Sequence, residues 1–167
     1  IQRYRITYSQ WVPTMFVRML KLSRTVRDSY DVSSLRVAVH AAAPCPVEVK
    51  RQMIEWWGPI LSEYYSSTEL NGLTLVNTDE WLHKPGTVGK AVLGVARICG
   101  GDGNELGAGD IGTVYFERES LPFEYHNAPD KTREAQHPTH PTWTTTGDVG
   151  YLDDDGYLFL TDRDSFM

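Results

Sequence analysis

The sequence is poor in cysteine and has no long apolar stretch. Its two cysteines, Cys45 and Cys99, are too few for a disulfide framework and too far apart for a CxxC pair. We interpret them as reduced thiols and predict a cytoplasmic protein. No apolar run reaches the roughly 20 residues of a membrane span, and no signal peptide opens the chain. We therefore expect no membrane span, and at most peripheral membrane contact.

An excess of basic residues is absent as well. The chain has 16 Lys and Arg residues against 22 Asp and Glu residues, which gives a net charge of -6. Surfaces that bind phosphate backbones or anionic lipids carry the opposite sign, so nucleic acid is not expected as a partner. A length of 167 residues with 41% hydrophobic residues allows one domain, or two subdomains, with a real core. Because the chain starts at Ile1 and ends on the apolar pair Phe166 and Met167, we expect a fragment.

Strand and helix patterns alternate in the first part of the chain. Apolar residues at helical spacing predict helices, and short β-branched runs predict strands. The order strand, helix, strand predicts a right-handed crossover and a parallel pair covered by helices. We assign an α/β subdomain to residues 1–78. Its predicted elements are helices over 13–22 and 46–57 and strands over 35–39 and 60–65.

The helical pattern disappears in the second part, where glycines recur between short β-type runs. These runs predict a small antiparallel sheet that resembles a β-barrel, over residues 79–162. A polar segment over 121–141, with several prolines and histidines, is predicted to be a long surface connection. The predicted strands lie over 92–99, 111–117, 150–152 and 157–160, the last two joined by a turn at 153–156. The fold class is therefore α/β, a partial parallel sheet with covering helices followed by a β-barrel-like subdomain.

Two short motifs could carry chemistry. Residues 65–69, Tyr-Ser-Ser-Thr-Glu, follow a predicted parallel strand, and ligands sit at the carboxyl ends of such strands. An aromatic ring can stack on a purine, small hydroxyl residues let the backbone approach phosphate, and a carboxylate can hold Mg²⁺. The second motif is Thr146-Gly147-Asp148, whose carboxylate could accept hydrogen bonds from both hydroxyls of a ribose. Taken singly, each motif is also typical of an ordinary strand end or turn.

Taken in order, these motifs resemble the adenylate-forming superfamily, which contains acyl-CoA synthetases, luciferases and amino-acid adenylation domains. The resemblance extends over nearly the whole chain and favours the fatty-acid–CoA ligase branch. It implies that the chain is part of the large, N-terminal domain of such an enzyme. The matching stretches are 12–16, 42–44, 65–69, 84–89, 107–114, 146–148 and 155–163.

The resemblance implies a role for each residue of the first motif. Tyr65 would flank the adenine of ATP, and Thr68 would hydrogen-bond its α-phosphate. Glu69 would coordinate Mg²⁺, so that Thr68 and Glu69 would be the catalytic residues. Ser66 stands where many relatives have glycine, in the middle of the nucleotide-binding motif.

Other parts of the chain acquire roles by the same resemblance. Asp148 would hold the ribose, assisted by Arg163. The loop after the first predicted strand would lie along the adenine through Ala42, Ala43 and Pro44. The acyl pocket would include His40, Asn71 and Gly72. Residues 163–167 would begin the hinge to a C-terminal domain that this chain does not contain.

The implied reaction has two halves, with ATP, Mg²⁺ and coenzyme A as cofactors or co-substrates. A carboxylic acid, most simply a fatty acid, attacks the α-phosphate of ATP to give acyl-AMP and pyrophosphate. The thiol of coenzyme A then displaces AMP and forms a thioester. The family's phosphate loop and catalytic lysine are not in this sequence, so we expect the fragment itself to be inactive. Cys45 is interpreted as a buried thiol, not as a nucleophile.

Alternatives remain open at this point. An amino-acid adenylation domain or a luciferase-like enzyme would carry the same motifs. A different class is a non-enzymatic binding module in which His126, His137 and His140 hold a metal. Their spacing is only loosely that of metal ligands, and a solvated loop is the simpler interpretation.

Overall fold

The protein folds into two compact units. The structure, a computed structural model, describes residues 1–163 and the side chains of residues 1–161. Unit 1 comprises residues 1–64 and 76–86, and unit 2 comprises residues 65–75 and the described residues from 87 onward. Among the described residues, no helix is long and apolar enough to cross a membrane.

Unit 1 is built on parallel strands with helices between them. Strand β1 pairs in parallel with β2, with Tyr8 opposite Val37, and β2 pairs in parallel with β3, with Ala38 opposite Leu61. Parallel strands need crossover connections, and the helices supply them. The elements are β1 (Tyr8–Trp11), α1 (Pro13–Leu20), α2 (Arg24–Asp28), β2 (Val37–His40), α3 (Val47–Trp57), β3 (Leu61–Ser66, which ends in unit 2) and α4 (Thr78–His83), after a short 3-10 helix at Gln2–Tyr4.

The ends of these helices follow from local chemistry. Pro13 opens α1, where a residue without a backbone N–H costs nothing. Gly58 ends α3 with a φ of 85°, and its N–H donates to the carbonyl of Ile54. At α4, Asn77 and Glu80 form a reciprocal capping box.

Aromatic and aliphatic side chains fill the core of unit 1. The Phe16 ring meets Trp57 edge-on at 5.8 Å between centroids, and Trp11 lies 5.1 Å from Trp57. Such tilted and edge-on contacts are the favoured geometries for aromatic rings. The buried core residues are Phe16, Leu35, Ala38, Met53, Trp57 and Leu61.

A buried ion pair lies in the same unit. Lys50 Nζ on α3 donates to Glu63 Oε2 on β3 at 2.6 Å, with Lys50 1% and Glu63 5% exposed. The ammonium also lies 4.7 Å from the ring centre of Trp81. Burial raises the pKa of Glu63 and lowers the pKa of Lys50. The charge of Lys50 acts to lower the pKa of Glu63, and the charge of Glu63 acts to raise the pKa of Lys50. The attraction between the two charges therefore offsets the free-energy cost of removing each of them from water.

Unit 2 is built on an antiparallel sheet. Its strand order is β10-β9-β7-β6, with β8 paired to β7. Strand β4 lies outside this sheet and pairs with β5 in antiparallel register. The elements are β4 (Leu73–Asn77, which ends in unit 1), β5 (Lys90–Leu93), β6 (Val95–Cys99), β7 (Gly112–Glu117), α5 (Pro129–Glu134), β8 (Trp143–Thr144), β9 (Asp148–Leu152) and β10 (Leu158–Arg163). Its core contains Val88, Ala96, Ile98, Val114, Phe116 and Leu158.

The predicted fold class is confirmed: a sheet that contains parallel strands, with helices between them, precedes a second, antiparallel sheet. The antiparallel sheet is open, not a closed barrel, as far as the described residues go. The single strand predicted over 92–99 is wrong in detail, because Gly94 takes a φ of 76° and divides it into β5 and β6. The connection predicted over 121–141 is also wrong in part, since it contains the helix α5. Strands β1, β4 and β8 and helices α2 and α4 were not predicted from the sequence.

The ion pair makes unit 1 sensitive to the loss of one partner. In a Lys50→Met variant the Glu63 carboxylate is left buried without its cation, and we expect a loss of about 3–5 kcal/mol in the free energy of unfolding near neutral pH. Without Lys50 the pKa of folded Glu63 lies further above its ordinary value of 4.5. The Glu63 carboxyl then binds a proton more tightly in the folded state than in the unfolded state. The variant's stability is therefore retained below the ordinary pKa of Glu63 and lost as the pH rises through the folded pKa.

Urea unfolding of the 167-residue chain at acidic and at neutral pH tests this. Lys50→Met should be closest to wild type at the acidic pH, and the double variant Lys50→Met/Glu63→Gln should remove most of the pH dependence. A Lys50→Met variant as stable as wild type at neutral pH would contradict the account.

Gly72 makes a close approach in unit 2. A Cβ atom there would overlap the ring of Phe116. We expect Gly72→Ala to destabilise the chain by about 1–3 kcal/mol or more, because the buried ring would have to move. Gly101→Ala is the matched control, since its Cβ would meet nothing within 4 Å. Equal urea midpoints for the two variants would overturn this expectation.

Candidate functional site

The tight turn after β3 carries the first sequence motif. Ser66 Oγ donates to the carbonyl of Gly72 at 2.6 Å, which closes the turn across its base. Ser67 Oγ donates to Asn71 Oδ1 at 2.8 Å, and Asn71 Nδ2 donates to the carbonyl of Thr144 at 3.1 Å. The buried Asn71 therefore ties the turn to β8. These bonds hold the turn in one conformation without any ligand.

Arg118 holds the same turn from the end of β7. Its Nη1 donates to the carbonyls of Leu70 and Asn71 at 3.2 and 3.3 Å. Leu70 has a φ of 52°, a left-handed conformation that costs a non-glycine residue energy. Backbone held in this way is typical of ligand-binding turns.

Tyr65 and Asp148 are brought together, although 83 positions separate them. The Tyr65 hydroxyl donates to Asp148 Oδ2 at 2.5 Å, and Thr146 Oγ1 donates to the same oxygen at 3.3 Å. The Tyr65 ring lies 6.3 Å from that of Phe116, between centroids. Tyr65 thus fixes the orientation of the Asp148 carboxylate, and Phe116 fixes that of Tyr65.

Glu69 projects from the turn toward the segment before α5. Its Oε1 accepts a hydrogen bond of 2.8 Å from the hydroxyl of Tyr125. Glu69 is half-buried, and the neighbouring Thr68 is exposed. A half-buried carboxylate beside an exposed hydroxyl suits a hard cation that is shared with a phosphate.

The donor set around Glu69 fits Mg²⁺ better than a transition metal. Mg²⁺ is usually bound by one or two carboxylates, by phosphate oxygens of the substrate and by water. No group of three or more His, Cys, Asp or Glu side chains within the described part of the chain could form a protein-only metal site. A cation at Glu69 would therefore depend on oxygens from a bound phosphate.

The loop predicted to contact adenine belongs to unit 1. Ala42, Ala43 and Pro44 are exposed in the loop that follows β2. Ala42 has a φ of 72°, which glycine adopts more readily than alanine. This loop is therefore strained and open, as loops that contact ligands often are.

His40, at the end of β2, is fully buried in unit 1. Its Nε2 lies 3.6 Å from Glu63 Oε2, within ion-pair range, and its ring meets Phe16 edge-on. Burial first, and then the charge of Lys50, lowers the pKa of His40 to about 3, so the ring is neutral and the 3.6 Å contact is not an ion pair. Neither ring nitrogen has a hydrogen-bond partner within the described residues.

Arg163 and Cys45 are two further candidate residues. The side chain of Arg163 and the predicted hinge residues after it lie outside the described residues. Cys45 is half-buried, and burial, followed by the charge of Glu63, raises the pKa of its thiol to about 12. A thiol with this pKa is a poor nucleophile at neutral pH.

The histidines considered as metal ligands make other contacts. His137 Nε2 lies 2.8 Å from the carbonyl of Gly103, to which it must donate. His140 stacks on Trp143 at 4.1 Å between centroids. These contacts favour a packed loop over a metal site.

Two residues of this site, Arg118 and Tyr125, were not predicted from the sequence. Arg118 directly follows a predicted strand, so its proximity to the turn depends on the strand pairing. Tyr125 lies in the segment predicted to be a surface connection, where the aromatic pair Phe123 and Tyr125 was the available signal.

A family model and several known proteins match this chain. Residues 1–126 match the family described as AMP-binding enzyme. The chain is 31% identical over 162 residues to sulfoacetate–CoA ligase from Cupriavidus necator, covering 96% of this chain and 31% of the relative. It is 28% identical over 165 residues to long-chain-fatty-acid–CoA ligase from Bacillus subtilis, covering 98% of this chain and 29% of that protein.

A solved structure matches over a similar span. The N-terminal domain of FACL13 from Mycobacterium tuberculosis superposes with a TM-score of 0.79 at 27% identity, over 97% of this chain and 40% of that one. The chain spans about a third of the length of the curated relatives it matches. From the family match over residues 1–126, the chain belongs to the AMP-binding, adenylate-forming enzymes.

Proposed function

We propose that the full-length protein is an ATP-dependent acyl-CoA ligase and that this chain supplies carboxylates that hold its nucleotide and metal. The single observation that carries the proposal is the carboxylate of Asp148, oriented by Tyr65 at 2.5 Å. A carboxylate with a fixed plane can accept hydrogen bonds from two neighbouring ribose hydroxyls. The family membership and the relatives named as CoA ligases support the same reading.

The turn after β3 would meet the phosphates. In this proposal Thr68 donates a hydrogen bond to the α-phosphate, and Glu69 holds Mg²⁺, which would neutralise phosphate charge as the acid attacks. Because the turn is already fixed by Ser66, Asn71 and Arg118, little reorganisation is needed when the nucleotide binds. Catalysis of this kind depends on positioning and electrostatic stabilisation, with no covalent step on the protein.

Further assignments rest on the resemblance. Ala42, Ala43 and Pro44 are proposed to contact adenine, and Arg163 to assist at the ribose. His40 is proposed for the acyl side of the site, where its neutral ring would add polarity but no positive charge. Asn71 and Gly72 support the turn through their own contacts, in addition to their proposed place beside the acyl group.

The acid is proposed to be a fatty or other apolar carboxylic acid, activated as acyl-AMP before transfer to coenzyme A. The relatives' names include both sulfoacetate and long-chain fatty acids, so membership of the branch does not select the acid. We also propose a cytoplasmic location. Because the chain matches only about a third of its relatives' length, we further propose that it has little or no ligase activity on its own.

Asp148→Asn in the full-length protein tests the ribose assignment. Loss of hydrogen bonds to a charged acceptor costs about 1.5–3 kcal/mol, so we expect the KM for ATP in ATP–pyrophosphate exchange to rise by about 10- to 100-fold. The thermal unfolding temperature should change little, because Asn can still accept the hydrogen bond from Tyr65. Asp154→Asn, at an exposed turn position, is the matched control. An unchanged KM for ATP in Asp148→Asn would refute the assignment.

A further inference from the structure

Tyr125 makes a long-range contact with the turn after β3, and no sequence motif predicts this contact. Its hydroxyl donates to Glu69 Oε1 at 2.8 Å across 56 positions of the chain. Both residues belong to unit 2 and are partly buried. The contact therefore lies at the carboxylate that the proposed function gives to Mg²⁺.

Tyr125 is itself held in place at several points. Its backbone N–H donates to Thr132 Oγ1 on α5 at 2.8 Å, and its carbonyl accepts from the N–H of Ala128 at 3.1 Å. Phe123 packs edge-on against the ring at 5.2 Å, and Lys131 Nζ lies 4.9 Å from the ring centre. Contacts with α5 and with two neighbouring side chains thus hold the Tyr125 side chain, and with it the hydroxyl, in place.

The phenol remains a donor across the physiological pH range. A phenol is protonated at neutral pH, where a carboxylate can only accept hydrogen bonds. The proton therefore stays on the Tyr125 oxygen, and Glu69 is the acceptor. A neutral donor orients a carboxylate without contributing a positive charge that would repel a cation.

We propose that Tyr125 is a positioning residue that fixes the Glu69 carboxylate for Mg²⁺ bound with ATP. The inference rests on the proposed function and adds a residue to the same site. Partners that hydrogen-bond a metal-binding side chain fix its orientation, and their loss typically costs about 10- to 100-fold in metal affinity or activity. The alternative is a structural role, in which Tyr125 only joins the segment before α5 to the turn.

Tyr125→Phe in the full-length protein separates these roles, because it removes only the hydroxyl. We expect the Mg²⁺ concentration for half-maximal pyrophosphate release to rise by about tenfold, with kcat at saturating Mg²⁺ nearly unchanged. Binding of Mn²⁺ in the presence of a non-hydrolysable ATP analogue, followed by electron paramagnetic resonance, should weaken by a similar factor. Tyr30→Phe, which removes an exposed hydroxyl, should match wild type in both measurements.

Thr132→Val is a second variant that keeps the Tyr125 hydroxyl but removes the acceptor of its backbone N–H. It should raise the Mg²⁺ requirement in the same direction by a smaller factor, and it decides the question if Tyr125→Phe does not fold. Wild-type Mg²⁺ dependence and Mn²⁺ binding in folded Tyr125→Phe, or a lower Mg²⁺ requirement, would overturn the inference.

Glu69→Gln distinguishes failure of the inference from failure of the proposed function. If Glu69→Gln keeps the wild-type Mg²⁺ dependence, the metal assignment itself is wrong. If Glu69→Gln loses Mn²⁺ binding while Tyr125→Phe retains it, only the positioning role of Tyr125 is rejected.

Discussion

The hydrogen bond between the Tyr65 hydroxyl and the Asp148 carboxylate joins two parts of unit 2 that are 83 positions apart in the sequence. Tyr65 lies at the carboxyl end of β3, and Asp148 begins β9. The bond therefore requires both the last residues of β3 and the antiparallel sheet of unit 2 to be correctly folded. A single carboxylate whose plane is set by this contact is what gives the proposed ribose site its direction.

The turn that follows Tyr65 depends on a second set of constraints. The hydroxyls of Ser66 and Ser67 bond within the turn, the Asn71 amide bonds to Thr144, and the Arg118 guanidinium bonds to the turn's carbonyls. Gly72 is required there because the Phe116 ring occupies the space of a side chain. The same ring packs near Tyr65, so one core residue supports both the turn and the aromatic donor to Asp148. The packing of Phe116 in the sheet therefore affects both the turn that carries Glu69 and the tyrosine that orients Asp148.

The sequence predicted the fold class and the strand end that carries the first motif, whereas contacts that depend on the tertiary fold were not predicted. The motif at 65–69 lies at a strand end, as its composition indicated, because small hydroxyl residues interrupt the β pattern. Tyr125 could not be predicted, since its segment has no periodic pattern and its contact with Glu69 depends on the tertiary fold. Lys50 was equally hidden, because a lysine in an amphipathic helix normally faces solvent and only the position of Glu63 explains its burial.

A crystal structure of the full-length protein with Mg²⁺ and a non-hydrolysable ATP analogue tests the central claim most directly. We expect both ribose hydroxyls within about 3 Å of the Asp148 carboxylate oxygens. We also expect Mg²⁺ within about 2.1 Å of a Glu69 oxygen, with the Tyr125 hydroxyl still bound to that carboxylate. A nucleotide whose ribose lies away from Asp148, with Glu69 far from the metal, would contradict the account.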